Sequence, residues 1–279
     1  MRWLVFPALL AGASALLWGL QDAGVDLLLG TTLLWMVTVV VLVLLERLLP
    51  FERAWQLPDD QLANDFAHTL LGSALGSRMG AGVADVVAAG VVFGFASIGI
   101  SAFTPAWPFP VQVVAAYVVV DFARYWQHRL QHRVGFLWET HKLHHDARRL
   151  IAIKAGRSHV LDRALQALCV VPVVVAGAGP EVLFWCVGLN SVIGLIGHAN
   201  VDARLGVLGF VFVGPPQHRV HHSIAVEDHH ANFGASLIVW DRWFGTFRAS
   251  EARSVGLPEE TPTRVLGQLA APLNAWLGY

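Results

Sequence analysis

Long stretches without a charged side chain constrain this chain more than any other feature. Residues 27–45 contain none, and residues 3–20, after Arg2, contain none either. A helix of about 20 apolar residues crosses a bilayer, where every backbone polar group must be satisfied within its own segment. Only 14% of the 279 residues are charged, against roughly a quarter in soluble domains. The mean hydropathy is +0.55. One membrane domain therefore fits better than two soluble ones. With a net charge of -1, nothing suggests a nucleic-acid partner.

The expected fold is all-α, a multi-spanning membrane helical bundle with a cytoplasmic histidine-rich helical cap. Spans are expected at 3–20, 27–45 and 79–100, the last rich in Gly and Ala for close helix contacts. The 3–20 stretch also resembles a signal peptide, with Ala13-Ser14-Ala15 as a weak cleavage site, but a retained span suits the membranous remainder. Pro105, Pro108 and Pro110 mark a turn before a fourth helix from Val111. Residues 164–176 and 181–197 read as a re-entrant hairpin. The domain reading is 1–50 for N-terminal spans, 51–248 for the catalytic membrane domain, and 249–279 for a tail with an interfacial amphipathic helix. Cys169 and Cys186 lie in apolar runs and read as small buried hydrophobes.

Thirteen histidines are the unusual count, and ten fall between His128 and His222. Eight form three groups: His128 and His132 in HRLQH, His141, His144 and His145 in HKLHH, and His218, His221 and His222 in HRVHH. On a helix the i, i+4 spacing puts two imidazoles on one face; in HKLHH, His141 and His144 are one turn apart and His145 is expected to extend the same face. The bland alternative is a set of solvated interfacial histidines. Eight imidazoles exceed what one four-coordinate ion takes, so two metals are expected. Ligand type alone leaves iron, copper, nickel and zinc open. His198 is a further expected ligand at the end of the returning helix. His159, Asp202, His230, Asp121 and Asp228 are candidates for metal or for the acceptors that orient ligand imidazoles. Asp162, Glu139, Glu227 and Asp241 are further candidate acceptors.

These residues resemble the fatty acid hydroxylase/sterol desaturase superfamily of integral-membrane di-iron enzymes. The resemblance covers roughly residues 30–248. It rests on DFARYWQHRLQHR from Asp121, LWETHKLHHDA, RSHVLD, GHANV, PPQHRVHHS and NFGASLIVWDRWFGTF. The three histidine groups match the three histidine boxes of that superfamily. Where its members usually have His-Pro-x-Glu, this chain has His159-Val160-Leu161-Asp162. The resemblance implies oxygen-dependent hydroxylation or desaturation of a lipid C–H bond by two iron ions, with zinc found in some isolated members. No dinucleotide or flavin fingerprint is evident, so a reductase or ferredoxin-like partner is expected as external electron donor. Arg129, Arg133, Arg148 and Arg149 form a basic surface suited to an acidic carrier or to phospholipid. A membrane zinc-dependent hydrolase, or a metal transport or sensing membrane protein, would share the histidines.

Charge sets the expected orientation, in a bacterial inner membrane. Loops 21–26, 101–110 and 177–180 contain no Lys or Arg, whereas 124–163 contains nine basic and three acidic residues. Positive-inside logic then puts both termini and all three histidine groups in the cytoplasm. Reporter fusions after Asp22 and after Tyr279 should report opposite compartments. The same compartment for both would refute this sidedness.

Overall fold

The computed structural model describes residues 2–95, 106–259 and 261–278. In chain order its helices are α1 (Val5–Asp22), α2 (Leu27–Leu48), α3 (Leu62–Leu71), α4 (Ser77–Phe95), α5 (Phe109–Arg133), α6 (Gly135–His145), α7 (Val160–Ala167), α8 (Val171–Val175), α9 (Pro180–His198), α10 (Pro215–His221), α11 (Val226–His229), α12 (Val239–Trp243) and α13 (Val265–Leu277). The described residues form an all-α bundle with only isolated β-bridges.

Three of these helices, α1, α2 and α9, are long and apolar enough to cross a membrane. Local chemistry starts α2 sharply: Asp26 Oδ1 accepts from the N–H groups of Leu28 and Leu29, both at 3.0 Å. Of the apolar stretch of α9, 56% is buried, against 22% for α1 and α2. Helix α9 is therefore the centre of the bundle, and the other two turn most of their surface outward. Leu28, Val40, Leu44 and Leu48 are exposed along α2, as lipid contact requires. The third expected span begins as α4; its residues 96–100, and 101–105 of the following loop, lie outside the described residues.

The ends of the long helices converge. Asp202 N–H donates to Leu49 O (2.9 Å), Phe51 N–H to Asn200 O (3.2 Å) and Arg204 N–H to Arg2 O (3.1 Å). The start of α1, the end of α2 and the end of α9 thus meet on one side. At the other ends of α1 and α9, Trp185 Nε1 donates to Gln21. The expected re-entrant segment is broken into α7, a 3-10 turn at Leu168–Val170 and α8, which carries Pro172 in its first turn. Both cysteines are buried and free.

Small residues set the closest contact. Between α3 and α4 the chain widens into a π-turn, Gly72–Gly76. A Cβ on Gly76 would sit 2.4 Å from Val160 O, and one on Gly80 would sit 2.4 Å from Ala164 O. The backbones of α4 and α7 touch there, as expected of a Gly-rich span. The tail helix docks by Phe136 stacking on Trp276 at 4.2 Å and by His68 Nε2 against Gln268 Oε1 at 2.7 Å. Leu266, Leu273 and Leu277 of α13 remain exposed.

Replacing Gly76 by Ala should destabilise the protein by about 1–3 kcal/mol through overpacking. Gly12→Ala, where nothing lies within 4 Å of the new Cβ, should be neutral. Thermal unfolding in detergent compares the two, and equal effects would contradict the close contact.

Candidate metal centre

Four segments bring nine histidines together. Helix α5 supplies His128 and His132, and α6 supplies His141, His144 and His145. His198 ends α9, while α10 and its C-cap carry His218, His221 and His222. They form two groups: His128, His132, His141, His145 and His221, then His144, His198, His218 and His222. Within each group the nearest ring nitrogens all lie within 4.8 Å of one another. The groups adjoin, with the rings of His145 and His222 stacked at 4.3 Å.

Helical geometry explains the division. Each residue turns the helix by about 100°, so His141 and His145 differ by about 40° while His144 points about 60° to the other side. The sequence suggested that all three histidines of this box share one face. The structure corrects this: His141 and His145 join the first group and His144 the second. The last box repeats the rule in reverse, with His218 and His222 in the second group and His221 in the first.

Hydrogen bonds fix which ring nitrogen faces inward. Nδ1–H of His128 donates to Phe233 O (2.8 Å), and that of His221 donates to Ala231 O (2.8 Å). A neutral imidazole carries one proton, so both Nε2 atoms are bare. Yet these two atoms lie 2.9 Å apart. In the second group Nδ1–H of His144 donates to Arg157 O (3.1 Å) and that of His198 to Gly194 O (2.8 Å). Their Nε2 atoms, 3.1 Å apart, are bare too. His218 Nε2 lies 3.0 Å from His198 Nε2 and 3.1 Å from His222 Nε2. Facing lone pairs repel, and a cation between them removes the repulsion. Nitrogens bound at about 2.1 Å to one metal, at right angles, are about 3.0 Å apart. Nε2 of His132, His141 and His145 is buried without a hydrogen-bond partner among the described residues. The donor set therefore fits metal ions in both groups.

The supports are mostly backbone. One carboxylate takes part directly: Asp162 Oδ2 accepts from His141 Nδ1–H (3.3 Å) and Ser158 Oγ (2.6 Å), and Oδ1 accepts from Gln131 (2.9 Å) and Gln166 (3.0 Å). Burial alone would raise its pKa. The adjacent His141 and these hydrogen bonds override burial and hold the carboxyl well below the usual carboxylate range. Asp241 accepts from the N–H groups of Phe233 and Gly234, both at 2.7 Å, and so fixes the loop whose carbonyl holds His128. A buried ion network holds Arg157. Its guanidinium donates to Asp65 (2.9 Å) and Asp146 (2.8 Å), and Lys154 Nζ meets the same Asp65 at 2.7 Å.

The structure leaves the other candidates outside the two groups. Asp121 accepts from Ser236 N–H, Leu237 N–H and Trp240 Nε1 (3.0, 3.2 and 2.9 Å), so it ties α5 to the loop before α12 and does not contact His128. Asp202 pairs with Arg2 at 2.9 Å. Asp228 pairs with Arg248 at 2.9 Å. His159 caps α7 through Nδ1 and donates from Nε2 to Leu269 O (3.1 Å), fastening the tail helix. His230 is exposed, its ring 6.3 Å from that of His132. Of the four arginines read as a docking surface, Arg149 is committed to Asp59 through two 2.8 Å hydrogen bonds, while Arg133 and Arg148 are exposed. Sequence reasoning missed the carbonyl acceptors, which no side chain announces, and the Asp65–Lys154–Arg157 network, whose members lie 89 and 92 residues apart.

Comparison with known proteins agrees with this geometry. The model of the family described as fatty acid hydroxylase matches residues 113–246. The chain is 35% identical over 289 residues to an ornithine lipid hydroxylase of Rhizobium tropici, covering 95% of this chain and 86% of that protein. Alkylglycerol monooxygenase of Homo sapiens is 31% identical over 153 residues, covering 55% of this chain and 34% of its own. The Xenopus tropicalis alkylglycerol monooxygenase is 28% identical over 170 residues, or 61% and 35% of the two chains. The chain thus spans most of the first relative and about a third of the others. No solved structure matches.

Burial, reinforced by neighbouring histidines, pushes the pKa values of His144, His145, His218, His221 and His222 well below the usual histidine value. These groups stay neutral in the fold at pH values where the unfolded chain binds protons. Stability of the metal-free protein should therefore be fully present above about pH 6.5 and fall as pH drops below it, by up to about 1.4 kcal/mol per pH unit per histidine. Thermal unfolding of chelator-treated protein between pH 7 and pH 5 checks this. A flat profile would contradict neutral burial.

Proposed function

The chain belongs to the fatty acid hydroxylase family, and on that premise we propose that its nine clustered histidines hold two iron ions that hydroxylate a membrane lipid. It is a membrane oxidoreductase acting on lipid. The observation that carries the di-metal proposal is the pair of adjacent all-imidazole groups, each containing bare nitrogens that face one another at about 3 Å. The proposed ligands are His128, His132, His141, His145 and His221 for one ion, and His144, His198, His218 and His222 for the other. Iron in such a site supplies activation of dioxygen and the oxidising power to break an unactivated C–H bond.

The protein's own residues contribute position and exclusion. Phe233 O, Ala231 O, Arg157 O, Gly194 O and Asp162 hold five of the imidazoles by Nδ1, leaving Nε2 to the ion. Burial keeps water from the reacting carbon. Asp162 already accepts four hydrogen bonds, so it orients His141 and is poorly placed to act as a general base. That favours oxidation over the zinc hydrolase reading. The long similarity to an ornithine lipid hydroxylase supports hydroxylation over desaturation, and a polar amino-acid lipid as the substrate type. An external electron donor, a cytoplasmic centre and a bacterial inner membrane complete the proposal.

Protein reconstituted anaerobically with iron should contain two metal ions per chain, and His218→Ala should lower that towards one by crippling the second group. One ion or fewer in the unsubstituted protein would sink the di-metal reading. With an electron donor and isotopically labelled dioxygen, the label should appear in an alcohol. Turnover without oxygen would overturn the oxygenase reading.

A further inference from the structure

A second site lies away from the histidines, where the end of α2 meets the segment that follows it. A cavity of about 430 Å³ opens there, lined by Glu46, Arg47, Asp60, Arg149 and Asn200 together with apolar walls from Trp55, Leu62 and Ile153. Glu46 is its unusual member. Only 7% of this residue is exposed. Its Oε1 accepts from Ala152 N–H (2.7 Å) and Asn200 N–H (3.0 Å), but Oε2 has no hydrogen bond or ion pair among the described residues. A carboxylate buried this far is costly unless a cation meets it. Arg149, which also lines the cavity, is committed to Asp59. Arg47 and Asp60 are exposed, and neither forms an ion pair among the described residues.

We infer that this cavity binds the headgroup of an aminolipid. The ammonium group meets Glu46 Oε2, with Asp60 adding a second negative charge at the rim. Arg47 takes the anionic part of the headgroup. The apolar walls and the lipid-facing Leu44 and Leu48 of the last turns of α2 suit the start of the acyl chains, which a small soluble amine lacks. Charge complementarity thus selects a zwitterionic amine headgroup, and position selects a lipid. The same Glu46 ties the backbone at Asn200, two residues beyond His198, and at Ala152, five before Arg157. An occupied cavity would therefore stiffen the segments that carry one histidine of the second group and the carbonyl that holds another. The inference stands apart from the reaction at the histidines.

The test uses the full-length protein in detergent and lipids labelled on an acyl chain, read by fluorescence anisotropy. Phosphatidylethanolamine should bind at least about tenfold more tightly than phosphatidylglycerol, which lacks the amine. Glu46→Gln, which keeps an acceptor for the two backbone N–H groups, should remove most of that preference and leave the metal content unchanged. Asp60→Asn, on the surface and harmless to the fold, should reduce it by a few-fold. Equal binding of the two lipids by the unsubstituted protein, or a preference untouched by both substitutions, would overturn the inference. So would displacement of phosphatidylethanolamine by free ethanolamine at similar concentration, which would assign the cavity to a soluble amine.

Discussion

Bare imidazole nitrogens held face to face are the constraint on which the rest of the structure depends. His128 and His221 meet at 2.9 Å, and His144 and His198 at 3.1 Å, with the proton of each ring already donated outward. Such contacts are unfavourable by themselves. They persist because each outward nitrogen is anchored to a carbonyl that can only accept, so no ring can relieve the repulsion by changing tautomer without losing a buried hydrogen bond. The two histidine groups are therefore suited to holding metal.

Those anchors link the centre to the bundle. Gly194 O lies in α9, the most buried of the three apolar helices, so the position of His198 follows from the packing of the membrane core. Arg157 O is held by a guanidinium that shares Asp65 with Lys154, which brings α3 into the support of His144. Phe233 O is fixed through Asp241, which binds the N–H groups of that loop. Removing one member of the Asp65 network would leave a buried charge unpaired, an effect of about 3–5 kcal/mol. Rigidity at the histidines thus comes from distant parts of the chain.

The apolar helices and the histidine groups divide the work. Helix α2 exposes leucine and valine as lipid contact demands, and α1 exposes Trp18. The chain segments at the ends of α1, α2 and α9 are hydrogen-bonded together on the side where α9 presents His198. The histidine groups thus lie at one end of the apolar helices, in keeping with family membership and the similarity to a lipid hydroxylase.

The sequence by itself determined the helical membrane class and a set of nine histidines with metal-ligand spacing. These are local or additive properties: uninterrupted apolar length, i, i+4 spacing and a count of ligands. It also placed Asp162 among the possible acceptors. It did not determine the sorting of the histidines. His144 parts from His141 and His145 because its helix carries it about 60° to the other side, and this matters only once α9 and α10 lie against that face. Nor did it separate Asp121, Asp202, Asp228 and His159 from the centre. Their partners are the loop before α12, Arg2, Arg248 and the tail helix, and ion pairs or carbonyl contacts between remote segments leave no spacing to read. Tertiary structure decided these assignments, because which charge or lone pair a side chain meets depends on how helices pack, and packing brings together residues that the sequence keeps far apart.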